Sequence, residues 1–310
     1  MMNKLVKSSK SFQKSKKQSP HLEISVQVGC GLMCSYCPQT QYIKKYKEIY
    51  GKRHKLSYDT FLLVVDNIPL NTVIHWTGFT EPFACKDFPL IVSHLFDLGY
   101  KQIISTTLYG LKENQQFFID NLELFSEGIN LHLPDSSKLM KGKFTDEYFK
   151  YVESVFIRLL EINSKYFHLF LIGDEFHPEI TQLIERYLNN LPSDKIVKAK
   201  YLNTRNGSID VESFGLMTSN SVSNKGPYYC SYRRLNQGVL LPNGRISLCC
   251  QDYDLNMILG SLVENNLLDI YNVIQNDKEM SSDFVNGNFY PCVECEHYKP
   301  LSEMLTTDRK

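Results

Sequence analysis

Between Glu23 and Leu202 the chain alternates strand-like and helix-like segments about six times, and this rhythm restricts the possible folds more than any other feature. The stretches Glu23 to Val28, Thr72 to Thr77, Gln102 to Thr107, Ile129 to Leu133, Phe167 to Ile172 and Ile196 to Leu202 are short and rich in β-branched or aromatic residues. Between them Ser57 to Asn67, Phe88 to Leu98, Asn114 to Leu124, Thr145 to Leu160 and Pro178 to Leu191 carry helix signals: Ser57 as an N-cap, Gly99 as a stop, Pro178 in a first turn. Such alternation predicts an α/β protein with a parallel sheet covered by helices. Six units are too few to close an eight-fold barrel, so the expected architecture is a partial, open (βα)6 TIM-like barrel. In such sheets the chemistry lies at the C-terminal ends of the strands.

From about Asn203 onward the rhythm changes. Val239 to Leu241 and Ile246 to Leu248 flank Pro242-Asn243-Gly244-Arg245, a hairpin signal, and a short helix is expected from Leu267 to Gln275. The reading is therefore a core over 22–205 and a small cysteine-rich domain over 206–310. Residues 1–21 form a basic tail with Lys4, Lys7, Lys10, Lys14, Lys16 and Lys17, interleaved with serines and too poor in apolar residues to fold alone. The formal net charge is zero, so no nucleic-acid partner is expected. No uninterrupted apolar run reaches the roughly 18 residues of a membrane span, and no signal-peptide core is present, so the expected location is the cytoplasm.

Nine cysteines are many for such a chain, and an odd count in a reducing compartment argues against disulfides. Cys30, Cys34 and Cys37 form one tight group; Cys230, Cys249, Cys250, Cys292 and Cys295 form a second; Cys85 stands alone and reads as a small buried hydrophobe. Three thiolates from one loop can hold three corners of a 4Fe–4S cubane and leave the fourth iron open to a small molecule. Zinc is the alternative, but it prefers four closed ligands.

Cys30-Gly-Leu-Met-Cys34-Ser-Tyr36-Cys37, directly after a first strand, resembles the radical S-adenosylmethionine superfamily. The sequence Gly78-Phe79-Thr80-Glu81-Pro82 after the second strand is similar to that family's Gly-Gly-Glu-Pro motif, with one residue inserted. The resemblance implies that Cys30, Cys34 and Cys37 ligate the cluster that binds S-adenosylmethionine. It implies further that Tyr36, Gly78, Thr80, Glu81 and Pro82 surround this cofactor, with Glu81 facing its amino group. Ser105 and Thr107 at the end of the third strand, and Arg205 in the turn after the sixth, are further candidates for the cofactor site. Ordinary strand hydroxyls and a solvated turn remain the plain alternatives for them.

The spacing of Cys230, Gly244 and Cys249, followed by Cys292-Val-Glu-Cys295, resembles the short, twitch-type form of the SPASM extension. It implies a second, auxiliary 4Fe–4S cluster on Cys230, Cys249, Cys292 and Cys295, with Cys250 able to replace Cys249. A zinc ribbon is the alternative. The activity implied is an oxidoreductase: reductive cleavage of S-adenosylmethionine gives a 5′-deoxyadenosyl radical that abstracts hydrogen from a substrate, and the auxiliary cluster takes a second electron. The substrate implied is small and sugar-like, or else a peptide modified by a maturase. The electron donor would be a flavodoxin or ferredoxin. His132, Asp135, Asp174 and Glu175, at the ends of the fourth and fifth strands, are candidate substrate contacts, whereas His75 and His168 read as core histidines. A non-catalytic iron–sulfur electron carrier and a zinc-stabilised binding protein are the readings from other classes.

Overall fold

The computed structural model describes residues 19–310 except 53, 163–165, 190, 200, 203, 206–207, 215–216, 219–227, 231–236, 277–294, 296–297 and 301–310. The basic tail up to residue 18 and Cys292 lie outside the described residues.

Apolar side chains at every second position give each strand a face that helices must cover. Strands β1 (His21–Ile24), β2 (Val73–Trp76), β3 (Lys101–Thr106), β4 (Gly128–His132), β5 (Phe167–Ile172) and β6 (Ile196–Ala199) lie side by side in chain order, all parallel. The helices between them are α1 (Gln39–Tyr50), α2 (Tyr58–Leu62), α3 (Phe88–Asp97), α4 (Lys112–Asp120), α5 (Asp146–Glu161) and α6 (Pro178–Tyr187). Leu22, Ile24, Ile74, Trp76, Ile104, Leu131, Leu169 and Leu171 of the sheet form one core with Ile91, Leu95, Phe118, Phe156 and Ile180 of the helices. Each such side chain contributes about 1.5–3 kcal/mol on burial. The one tryptophan is polar at its edge, and that edge is met: Trp76 Nε1 donates to Gln102 Oε1 at 2.8 Å.

Local signals hold where the chemistry is local. The Ser57 hydroxyl caps α2, accepting from Thr60 N–H at 3.1 Å, and Gly99 ends α3 at φ 87°. Three expectations change. The helix expected over Ser57 to Asn67 is α2 followed by a short 3-10 turn, Val65–Asn67. Helix α1 was not foreseen: its buried face is Gln39, Tyr42 and Tyr46, so its amphipathic stripe is aromatic and amide rather than aliphatic. The sixth strand ends at Ala199, and the two-residue strand β7 (Tyr201–Leu202) pairs instead with β8 (Met217–Thr218).

The C-terminal segment does not build a sheet wholly of its own. Strand β9 (Tyr228–Cys230) precedes the expected hairpin, which comprises β10 (Gln237–Leu240) and β11 (Arg245–Ser247), with Gly244 at φ 83° in its turn. The hairpin continues into β12 (Ile258–Ser261), and β10 joins the main sheet beside β1, parallel to it. Among the described residues the sheet thus has nine strands in the order β12-β11-β10-β1-β2-β3-β4-β5-β6. Helix α7 (Leu267–Asn276) packs on β12, and β13 (Tyr298–Pro300) pairs with β9 so that Tyr298 lies opposite Cys230. No helix among the described residues is long and apolar enough to cross a membrane.

Candidate active site

The chain leaves β1 along Ser25–Val28 and then reverses. Gly29 at φ 95° and Met33 at φ 51° place left-handed residues on both sides of Cys30. Cys37 N–H closes the turn on Cys34 O at 3.0 Å. Gln39, at the start of α1, fastens the loop: its Oε1 accepts from Cys30 N–H at 3.0 Å, and its Nε2 donates to Cys37 Sγ at 3.4 Å and to Phe79 O. The three thiols are half-buried and surrounded by donors. Cys30 accepts from the backbone N–H of Leu32 and Glu81, Cys34 from the Tyr36 hydroxyl and Lys141 N–H, and Cys37 from Gln39 and the Tyr253 hydroxyl, 3.6 Å away. Burial pushes the Cys30 thiol up and the Cys34 thiol to about 12, so without a cation they stay protonated.

The loop after β2 meets this one. Gly78, at φ 80°, packs so closely that a Cβ would lie 3.1 Å from Val239 and 3.3 Å from Ser25. Thr80 Oγ1 donates to Gln27 O at 2.6 Å, tying the two loops together. Glu81 is buried, and its carboxylate accepts four hydrogen bonds. Oε1 takes Thr106 Oγ1 at 2.5 Å and Phe83 N–H at 3.2 Å; Oε2 takes Thr107 N–H at 2.7 Å and Thr107 Oγ1 at 2.6 Å. A carboxylate has about four lone-pair sites, so these donors match its capacity. Burial raises the Glu81 pKa, against the pull of the two threonines and the backbone N–H groups. Pro82 begins the 3-10 turn that Glu81 caps. Through these bonds Glu81 also staples the ends of β2 and β3 together.

Arg205, at φ 50°, lies between the two cysteine groups. Burial opposes its charge, but the Tyr253 phenol and the Cys250, Cys37 and Cys249 thiols outweigh burial and raise its pKa. Its Nη1 donates to Gln251 Oε1 at 3.1 Å, while its Nε is buried without a hydrogen-bond partner among the described residues. Cys249 and Cys250 are half-buried in the turn that also carries Gln251 and Tyr253, and Cys295 is half-buried three residues before β13. The β9–β13 pairing brings the backbones of Cys230 and Cys295 into one region, across 65 residues of chain.

The remaining candidates divide by environment. His132 ends β4, is half-buried and stacks on Phe170 at 4.8 Å; burial, with Arg205 adding, pushes its pKa down to about 4. Asp135 is buried, and its oxygens accept from Leu139 N–H at 2.9 Å and Met140 N–H at 2.8 Å, shaping the loop that meets the cysteine turn through Ser35 N–H and Leu139 O. Asp174 and Glu175 are exposed. Ser105 Oγ accepts from Asn130 Nδ2 at 3.2 Å, and Tyr36 packs with Met140, Ile209 and Val211. Cys85 is buried and donates to Leu56 O, as its solitary position implied. Gln39 and Tyr253 were missed: an amide and a phenol at no motif position carry no local signal for metal chemistry.

Among the described residues no three His, Cys, Asp or Glu side chains converge as a single metal ion requires. A cubane makes a different demand, one sulfur for each iron, with donors to stabilise the thiolates. Cys30, Cys34 and Cys37, each with two donors and with no fourth cysteine on the loop, fit that demand.

The sequential parallel sheet of six strands, with the cysteine loop after the first, is a partial-barrel fold that solved structures of low sequence identity share. The chain is similar to the crystal structure of BtrN in complex with AdoMet and 2-DOIA, with a TM-score of 0.51 and 14% identity over 93% of this chain and 96% of BtrN. Streptococcus suis SuiB bound to precursor peptide SuiA aligns at a TM-score of 0.49 and 15% identity, over 95% of this chain and 73% of SuiB. The enzyme anSMEcpe with bound AdoMet and Cp18Cys peptide aligns at 0.48 and 13%, over 90% and 88%. No family model and no curated protein matches the chain.

Proposed function

We propose that this chain is a radical S-adenosylmethionine oxidoreductase acting on a small hydroxylated molecule, with cluster ligands Cys30, Cys34 and Cys37. One observation carries the class: three donor-ringed thiols stand at the C-terminal end of β1, fastened through Gln39 and Thr80 to the Gly78–Pro82 loop. When bound, a 4Fe–4S cluster there supplies the electron that cleaves S-adenosylmethionine reductively. On ligation the thiols would release their protons to solvent and bind iron as thiolates, and the surrounding N–H and O–H groups would stabilise the sulfur charge. Phe79 O and the other carbonyls of the loop after β2 offer acceptors for an ammonium, while Glu81 holds that loop to β3. Thr107, Ser105 and Arg205 are the further cofactor contacts of this reading, Arg205 having a buried N–H without a partner among the described residues. Cys230, Cys249, Cys292 and Cys295 form the ligand set of a second cluster, on a C-terminal unit that starts near residue 206.

The substrate reading rests on the sheet face opposite the helices. Ser105, Asn130 and His168 are register partners across β3, β4 and β5, and all three are half-buried. One strand position further on, the alternation puts His132 beside Phe170 on that face. A row of hydroxyl, amide and imidazole groups recognises hydroxyls through paired donor and acceptor sites. The neighbour aligned at a TM-score above 0.5 holds the small molecule 2-DOIA.

The test is anaerobic reconstitution followed by a dithionite-driven cleavage assay, with 5′-deoxyadenosine as the readout. Production by the parent and none by Cys34→Ala supports the reading, as do about eight irons per chain for two clusters. Stoichiometric zinc, or a loaded protein that releases no 5′-deoxyadenosine, refutes it.

A further inference from the structure

Five of the six donors around the three thiols come from the loops that build the candidate site. The sixth is Tyr253, 216 residues along the chain from Cys37. It belongs to the turn that carries Cys249 and Cys250, and this turn is rigid for visible reasons. Asp252 is buried and accepts from Asn256 N–H at 3.1 Å and Met257 N–H at 2.8 Å, while Leu255 takes φ 52°. The Tyr253 ring is 5% exposed and packs edge-on to Phe79 at 4.9 Å and to Tyr42 at 6.3 Å. Its hydroxyl points at Cys37 Sγ, 3.6 Å away.

We infer that Tyr253 is a positioning residue that sets the reduction potential of the cluster on Cys37. The inference rests on the cluster reading above and goes beyond it, because nothing in the cysteine triplet calls for a phenol from the far end of the chain. A metal-bound thiolate has no proton, so the hydrogen bond has a single sense: Tyr253 donates and the sulfur accepts. Donation to a ligand sulfur stabilises the more negative, reduced state and raises the potential. Gln39 Nε2 acts in the same sense on the same atom from the other side, at 3.4 Å. The turn bearing the second cysteine group therefore helps decide how readily the first group's cluster accepts an electron.

The test is an EPR-monitored redox titration of the reconstituted full-length protein, its Tyr253→Phe variant and its Gln39→Glu variant. Phenylalanine keeps the ring against Phe79 and Tyr42 and removes only the hydroxyl. The expected result is a reduction equilibrium about tenfold less favourable in Tyr253→Phe, a shift of about −59 mV for a one-electron couple, at unchanged iron content. Gln39→Glu retains an acceptor for Cys30 N–H, removes the other donor to Cys37 and serves as a control that shifts the potential in the same direction; if Tyr253→Phe fails to load, Tyr253→Leu, which also lacks the hydroxyl, is titrated in its place. An unchanged potential in the loaded Tyr253 variant overturns the inference and leaves the cluster reading standing. No cluster signal in the parent overturns both.

Discussion

Replacing Glu81 by glutamine separates two roles that a carboxylate at this position can have. If it serves only as an acceptor for a cofactor's ammonium, the protein without cofactor gains from losing a buried carboxylate, and Glu81→Gln is neutral or stabilising. The structure assigns it a different load. Its two oxygens accept from two backbone groups that can only donate, Phe83 N–H on Oε1 and Thr107 N–H on Oε2. Glutamine has one carbonyl oxygen, so whichever way the amide is turned, its NH2 faces one of those N–H groups. That donor, buried at Phe83 and part-buried at Thr107, is left without its acceptor, which costs about 1–3 kcal/mol. The threonine hydroxyls can rotate to donate elsewhere, so they add little. The expected loss is therefore about 2 kcal/mol in the protein without cluster or cofactor, against a typical domain stability of about 5–15 kcal/mol. Urea unfolding followed by tryptophan fluorescence reads it directly, because Trp76 lies in the adjoining core. An unchanged or higher unfolding midpoint at constant slope would refute the staple.

Two other perturbations test the frame around the site. His132 has its pKa pushed from an ordinary 6.5 down to about 4, so between these values the unfolded chain binds more protons than the folded one. Its contribution is absent above pH 6.5 and becomes destabilising as the pH falls towards 4, by about 2 kcal/mol at pH 4.5 after allowance for partial exposure; His132→Gln should remove that part of the acid slope, and parallel stability–pH curves would show the histidine is not desolvated. Gly110→Ala should cost about 1–3 kcal/mol, because the new Cβ would lie 2.5 Å from Phe83 Cβ and 2.6 Å from Phe83 O; an unchanged melting temperature would mean that the Glu81–Phe83 turn is free to shift.

What could be read in the sequence was what is local. Alternation of strands and helices, the cap at Ser57, the Asn-Gly turn and the cysteine triplet each depend on neighbours within a few residues, and each is present in the fold. Helix α1 was hidden because Tyr42 and Tyr46 supply its buried face amid lysines, although a tyrosine every fourth residue up to Tyr50 was a readable periodicity. The acceptor role of Glu81 towards the ends of β2 and β3 was invisible for another reason: Thr106 and Thr107 become its partners only once the two strands pair. Tyr253 is further out of reach, since its place against Cys37 follows from β10 docking beside β1, an event with no local signature.

That docking bears on whether residues up to 205 can stand alone, and the expectation from it is that they do not. β10 pairs with β1 over His21↔Gln237 to Ile24↔Leu240, so removing it turns a buried central strand into an open edge. Polar groups cross the same junction: Gln237 Nε2 donates to Glu23 Oε1 at 2.9 Å, Tyr271 hydroxyl to His21 O at 2.7 Å, and Asn67 Nδ2 to Leu262 O at 2.8 Å. Leu240, Ile246, Leu262, Leu267 and Ile270 are buried in the same core as Leu22, Ile24 and Ile74. At about 1.5–3 kcal/mol each, these five side chains contribute on the order of 10 kcal/mol, as much as a whole domain's net stability. A fragment ending at residue 205 should therefore show no cooperative melt by circular dichroism and should elute as aggregate or expanded chain. If instead it melts cooperatively within a few degrees of the full chain, the β1–β10 junction is a contact between independent units and Tyr253 reaches Cys37 across an interface rather than within one core.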